Sequence, residues 1–250
     1  MSFREALAEL VQRDLKVRYK RSVLGLAWTM VHPLLMMAVT TVVFASLFRF
    51  SIERFPVYVL SAYVLWGFFS QSTVTATTSV LSGAGLIRRV YIPPALLPLA
   101  AVSAAAVNLL FSLAPLTVVA LLSGSQLTWA LLSLPVALAL AVLFTCGVAL
   151  ILATASVFFH DTIHIYQVLL TAWMYLTPIV YPIEIIPDQW SFIVKANPLY
   201  HLVQIFRDPI YAGVWPDPTN VAVAALYAFA VAAFGWWYYE RSRDAFTAYL

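Results

Sequence analysis

Six apolar stretches, each about 20 residues or longer, occupy most of this chain, and no other feature restricts its fold so strongly. They fall roughly at residues 23–50, 56–82, 95–122, 127–159, 163–181 and 219–239, with short polar breaks between them. A helix needs about 20 apolar residues to cross a hydrocarbon core about 30 Å thick, whereas a membrane strand needs only about 10, with alternating polarity. These runs do not alternate. The expected fold class is therefore all-α, a polytopic membrane protein with six transmembrane helices. Composition agrees: 63% of residues are hydrophobic and 10% charged, where soluble domains carry roughly 25% charged residues. The one cysteine, Cys146, lies inside an apolar run, so neither a disulfide framework nor a thiol metal cluster is expected.

The start of the first run sets the topology. Residues 13–33, RDLKVRYKRSVLGLAWTMVHP, pass from charged to apolar within a turn or two and hold five of the fourteen basic residues: Arg13, Lys16, Arg18, Lys20 and Arg21. A basic segment directly before an apolar span places that end in the cytoplasm. With six spans, both termini are cytoplasmic, and that side also receives Arg4, Arg88, Arg89, Arg241 and Arg243. The other side receives only Arg49, Arg54, Lys195 and Arg207. The basic residues thus lie beside membrane boundaries, and no nucleic-acid partner is expected. No small-residue cleavage pattern follows the first run, so no cleavable signal is expected either.

Residues 2–21 read as an amphipathic helix. Ser2 and Glu5 form a capping box, and Phe3, Leu7, Leu10, Val11 and Leu15 recur at helical spacing. Such a helix lies flat on a membrane surface, or serves as a simple charged anchor. The loop 83–94, GAGLIRRVYIPP, is too rich in glycine and proline to span. Residues 182–218 contain Pro182, Pro187, Pro198, Pro209, Pro216 and Pro218 between apolar patches. They are too broken to span and too apolar for an ordinary aqueous loop. Two short re-entrant helices before the last span fit this pattern. The chain then reads as a single membrane domain: a cytosolic interface helix at 1–22, spans one to five over 23–181, an outer segment at 182–218 and the sixth span at 219–240.

Missing chemistry narrows the function. None of the eleven acidic residues falls in the middle of a run, whereas an ion-coupled transporter keeps an ionisable group there. No GxxxxGK[ST] loop is present, so any ATPase belongs to a separate subunit. No HExxH, GxSxG or paired acidic motif supports an intramembrane lipid-modifying enzyme. His160 and His164 have the spacing of half a metal site, with only Asp161 as a nearby third ligand, and ordinary polar residues at a helix start are the favoured reading. The second run ends in Ser70, Gln71, Ser72, Thr73, Thr75, Thr77, Thr78 and Ser79. Those groups either bond back to their own helix and pack against neighbours, or line a wet path. Aromatic residues away from the interfaces (Trp66, Phe68, Phe69, Tyr166, Trp173 and Tyr175) offer flat faces to sugar C–H groups, or pack against lipid and other helices.

Five segments occur in a familiar order and spacing: RYKRSVLGLAWTMVHPLL, LIRRVYIPPALLPL, FFHDT, YLTPIVYPIEIIP and NPLYHLVQIFRDPIY. Together they resemble the membrane subunits of bacterial polysaccharide ABC exporters, the type-2 permeases that move O-antigen, teichoic acid or capsule chains. One departure is His160-Asp161, where that family often has Arg-Asp. The resemblance implies a homodimer in the bacterial inner membrane, with each copy bound to a separate ATP-binding-cassette subunit. That subunit would hold ATP and Mg, leaving this chain without a cofactor. The substrate implied is an undecaprenyl-diphosphate-linked polysaccharide.

The resemblance also implies roles. The N-terminal helix and the loop 83–94 would meet the ATPase, with Arg13, Arg18, Arg88, Arg89 and Tyr91 as contacts. The first and fifth spans would face the second copy and line the channel, with Trp28, Trp66, Phe69, Trp173 and Tyr175 touching sugar. Glu184, Asn197 and Arg207 would belong to an outer gate, and residues 22–25 to a hinge that admits nucleotide-driven motion. An exporter of a drug or small lipid is the alternative. Those relatives commonly carry a large extracellular insertion or a fused ATPase, and neither occurs in this sequence.

Overall fold

A computed structural model describes residues 3–19, 25–43, 52–89, 93–126 and 128–246. Among these residues the chain is helical, and no strand occurs. The helices are α1 (Phe3–Tyr19), α2 (Trp28–Val43), α3 (Phe55–Ser82), α4 (Ala84–Arg89), α5 (Leu96–Leu122), α6 (Leu134–Phe158), α7 (Thr162–Leu176), α8 (Asp188–Lys195), α9 (Pro198–Arg207) and α10 (Pro218–Ser242). Ser2, Arg49, Tyr91 and most of the expected hinge, residues 22–24, lie outside the described residues.

Among the described residues, three helical stretches are long and apolar enough to cross a bilayer unaided: Leu96–Leu122, Trp129–Phe158 and Pro218–Ala245. They make the chain a multi-pass membrane protein. Helix α3 is of similar length, 28 residues, but its Ser/Thr-rich second half is too polar to stand alone in lipid. It is instead the central post of the bundle and packs against α2, α5, α6, α7 and α9. Its hydroxyls explain how. Ser72 donates to Phe68 O (2.6 Å), Thr73 to Phe69 O (2.7 Å) and Thr77 to Thr73 O (2.7 Å), and all three residues are fully buried. Each hydroxyl is thus satisfied within its own helix, and the small side chains let neighbours come close. Two hydroxyls also cross between helices: Ser156 of α6 donates to Thr77 O (2.5 Å), and Tyr166 of α7 donates to Thr73 Oγ1 (2.6 Å).

The tightest seam joins α6 to α10. A Cβ placed on Gly147 would stand 2.5 Å from Val231 O and 2.6 Å from Ala232 N, and one placed on Gly235 would strike the Gly147 carbonyl. Ala224, Ala228, Gly235 and Tyr239 are the buried stripe of α10, small residues at helical spacing closed by a tyrosine. Lipid tails are as apolar as leucine, so in a bilayer close backbone approach is what holds such a seam.

Two sequence expectations change in detail. The fifth run, expected at 163–181, ends as a helix at Leu176. Thr177 precedes Pro178 and is extended (φ −101, ψ 125), as the clash with a following proline ring dictates. The N-terminal helix is not merely laid on a surface. Ala6 and Leu10 of α1 are buried against Leu96, Leu97 and Ala100 of α5, with Leu86 and Ile87 of α4 beside them. Tyr239 of α10 is buried, and its hydroxyl accepts from Ala95 N–H (3.1 Å) at the start of α5. That bond satisfies one of the amide groups that a helix N-terminus leaves without an internal partner. Residues 182–218 do contain two short helices. Helix α9 buries Leu199, Leu202, Val203, Ile205 and Phe206 in the core, while α8 buries only Val194.

Candidate functional site

Between α2, α3 and α5 lies a half-open cavity of about 540 Å³, closed on one side by Met174 of α7. Its wall combines aromatic rings (Trp28, Tyr63 and Trp66) with polar groups that bond in several directions, among them His32, Ser70 and Gln71. The wall answers the question left open by the polar half of α3. The buried hydroxyls Ser72, Thr73 and Thr77 serve packing, whereas Ser70 and Gln71, just before them on the helix, line the cavity.

The five residues expected to touch sugar separate into three places. Trp28 (47% exposed) and Trp66 line the cavity. Tyr175 is 71% exposed on the outer face of α7. Phe69 is 1% exposed and stacked on Phe144 at 5.8 Å, so it is a packing residue here, with no ring face free to meet a sugar. The Trp173 ring meets Phe69 edge-on at 5.3 Å, and its indole N–H donates to Asn197 Oδ1 at 2.7 Å. A residue expected in the channel and one expected in the gate are therefore directly bonded.

Asn197 uses its whole amide. Its Oδ1 also caps α9 by accepting from Leu199 N–H (3.0 Å). Its Nδ2 donates to Thr177 Oγ1 (2.9 Å) and Leu176 O (3.3 Å). An asparagine before a proline at a helix start is a strong N-cap signal, and this half of its role is readable from sequence.

Arg207, at the other end of α9, is 2% exposed. Its guanidinium donates to Pro178 O (3.0 Å) and Ile179 O (3.2 Å) and lies 3.7 Å from the Tyr58 ring centroid. A buried cation needs such partners, because its desolvation costs far more than one hydrogen bond returns. Tyr58 in turn donates to Tyr181 O (3.0 Å) and meets Tyr211 edge-on at 5.4 Å. Arg54 sits over the Tyr211 ring at 5.3 Å and donates to Ser125 Oγ (3.3 Å). This network, which no sequence motif announces, ties the start of α3 and the segment after α7 to the end of α9. Beside it, burial raises the Asp208 carboxyl to about 6, with Arg207 lowering it and Asp217 raising it. Glu184, the third expected gate residue, is exposed in the short turn Ile183–Ile185, near enough to Tyr58 for its charge to act on that phenol.

At the opposite end of the bundle, Arg13 is exposed on α1 and pairs with its neighbour Asp14 at 3.1 Å. Arg18 lies on α1, and Arg88 and Arg89 on α4; their side chains, like Tyr91, lie outside the described residues. His160 and His164 are exposed near Asp161, and no group of three metal-ligating side chains comes together among the described residues.

The comparisons with known proteins agree with a transporter. Residues 5–211 match the model of the ABC-2 type transporter family. The O-antigen export system permease protein RfbA of Myxococcus xanthus is 32% identical over 217 residues, covering 86% of this chain and 84% of its own. A protein of the same name from Klebsiella pneumoniae is 29% identical over 206 residues, covering 82% and 79%. The polysialic acid transport protein KpsM of Escherichia coli is 20% identical over 249 residues, covering 94% and 93%. With the match running over most of its length, the chain belongs to the ABC-2 type transporter family as a membrane subunit.

Proposed function

We propose that this chain is the channel-forming subunit of an ATP-driven exporter that moves a lipid-linked polysaccharide, of the O-antigen kind, out of the bacterial cytoplasm. The observation that carries the reading is the wall of the cavity, where the rings of Trp28, Tyr63 and Trp66 stand beside Gln71, Ser70 and His32. Ring faces hold the C–H faces of sugars without directional bonds, so successive residues slide past. Amides and hydroxyls replace the water that the sugar hydroxyls give up. The names of the relatives, O-antigen export and polysialic acid transport, support a polymer as substrate rather than a drug or small lipid.

In this reading α2, α3, α5, α6, α7 and α10 are the six spans, and α8 and α9 are short re-entrant helices at the outer mouth. Both termini are cytoplasmic, in the inner membrane. Helix α2 covers about 24 Å at 1.5 Å per residue, a little less than the hydrocarbon core. The exposed apolar side chains of α2 (Leu35, Val39 and Val42) and of α7 (Val168 and Leu169) meet a second copy of the chain. Helices α1 and α4 present Arg13, Arg18, Arg88 and Arg89, with Tyr91 just beyond, to a separate ATPase that holds ATP and Mg. The polymer arrives on an undecaprenyl diphosphate carrier.

The reading is tested by replacing Trp66 or Gln71 with alanine and measuring surface polysaccharide together with ATP hydrolysis by the assembled transporter. Export falls about tenfold for Trp66→Ala, the scale of one lost aromatic–sugar stack, while hydrolysis continues. Full export in both variants, or transport of a small amphiphile without polymer, overturns it.

A further inference from the structure

We propose that Trp173 is a positioning residue that ties the outer helix pair α8–α9 to the wall of the cavity through Asn197, and that it does not itself contact substrate. The inference rests on the export reading only for its activity readout. The path is short and continuous. Trp66 lines the cavity, and its ring lies 5.9 Å from that of Phe69. Phe69 meets the edge of Trp173 at 5.3 Å, and Phe144 holds the same indole at 6.5 Å. The indole N–H then donates to Asn197 Oδ1 at 2.7 Å.

Asn197 fixes two helix ends at once. Its Oδ1 starts α9 by accepting from Leu199 N–H. Its Nδ2 ends α7 by donating to Leu176 O and Thr177 Oγ1. The oxygen that caps α9 is therefore shared with an indole whose ring is set by the aromatic cluster behind the cavity. Phe69 is buried between Phe144 and Trp173, so a shift of Trp66 against a sugar presses it on both rings, Trp173 being the nearer. Trp173 cannot follow without lengthening its bond to Asn197, and the start of α9 loosens with it. The residue next to Trp173 that does reach the cavity is Met174; the Trp173 ring packs instead against Phe69 and Phe144, outside the lining.

This geometry makes the indole N–H, rather than the aromatic face, the working part of Trp173. A substrate-contacting ring would tolerate phenylalanine; a hydrogen-bond donor would not.

The experiment compares Trp173→Phe, Asn197→Gly and the double variant in the intact transporter, by hydrogen exchange of the peptide covering 195–205 and by surface polysaccharide. We expect Trp173→Phe to speed exchange at Leu199 and Tyr200 by about fivefold, the scale of one lost hydrogen bond, and to lower export while ATP hydrolysis continues. In the Asn197→Gly background the same substitution adds nothing, because its partner is gone. Asn197→Asp, which keeps the acceptor and the cap, retains protection at Leu199. Unchanged exchange in Trp173→Phe overturns the proposal, and so do effects of the two single variants that add in the double. If Trp173→Phe does not assemble, equal loss of protection in Asn197→Asp and Asn197→Gly overturns it. A wild-type transporter that exports no polysaccharide defeats the export reading alone, since the exchange data still decide the tie.

Discussion

The two flanks of this bundle are built on opposite rules. On one, α6 and α10 touch backbone to backbone at Gly147 and Gly235, with Ala224 and Ala228 continuing the contact. On the other, α2 buries only Thr40, and α7 only Tyr166. The cavity opens beside α2, and Met174 of α7 reaches its edge. Both flanks are apolar, so hydrophobicity does not separate them. Side-chain size does. Small residues let helices close where no solvent drives them together, and large ones hold them apart. The glycine side is thus built as a fixed scaffold, and the other side, in the function proposed above, as the working surface.

The comparison breaks most sharply at the seam. Gly235→Val forces α10 away from the Gly147 carbonyl, since the added Cβ meets backbone rather than a side chain that could swing aside. The expected cost is about 3 kcal/mol, seen as loss of folded protein in detergent and a lower thermal midpoint. The same change at Gly67, where an added Cβ meets nothing within 4 Å on the cavity side, should leave folding intact. If both variants fold equally well, the scaffold distinction fails. Next in size is Arg207→Met. It strands the Pro178 and Ile179 carbonyls that the guanidinium holds, at about 2–3 kcal/mol. The loss should appear as easier proteolysis after α7 while the α6–α10 seam stays protected.

Most of the helices were legible in the sequence, because apolar runs of span length leave few alternatives. The break after α7 was legible only in part. Pro178 is visible, but the run 163–181 stays apolar past it, so composition extended the helix where backbone sterics end it at Leu176. The site was harder to read. Phe69 and Trp66 look alike in sequence, three residues apart on one helix. Only packing reveals that Phe69 is enclosed by Phe144 and Trp173 while Trp66 reaches the cavity. Asn197 and Arg207 were recognisable as residues of one broken segment. Their partners were not, since Trp173 lies on another helix and the Pro178 and Ile179 carbonyls carry no side-chain signature. The docking of α1 on Leu96 and Leu97 was hidden for a similar reason: an amphipathic stripe does not say whether lipid or protein covers it.

A smaller effect sharpens the working side. Gly25 adopts φ +48 at the entry to α2, a backbone state that costs a residue with a Cβ about 1–2 kcal/mol. Among the described residues no atom beyond its chain neighbours lies within 4 Å of where that Cβ would be, so the penalty for Gly25→Val is conformational. If α2 is the moving flank, the variant should assemble, hydrolyse ATP and export less, with the ratio of polymer exported to ATP consumed as the measurement. An unchanged ratio would place the motion elsewhere.

The smallest effect concerns pH and lies at the α9 end. Burial lifts the Asp208 carboxyl from 3.8 to about 6 in the fold. A raised value means that the folded state prefers the protonated form. The associated stability is therefore fully present below about pH 4 and is lost as pH climbs through about 6. Near neutral pH the carboxylate is a burden that solvent partly screens, worth about 1 kcal/mol. Asp208→Asn removes the charge and keeps the size. It should raise the thermal midpoint at pH 7 by a few degrees, do nothing at pH 4, and flatten the profile between those limits. A midpoint that falls at pH 7 would instead show that the attraction of Arg207 outweighs the burial, and that Asp208 belongs with the network holding α9 in place.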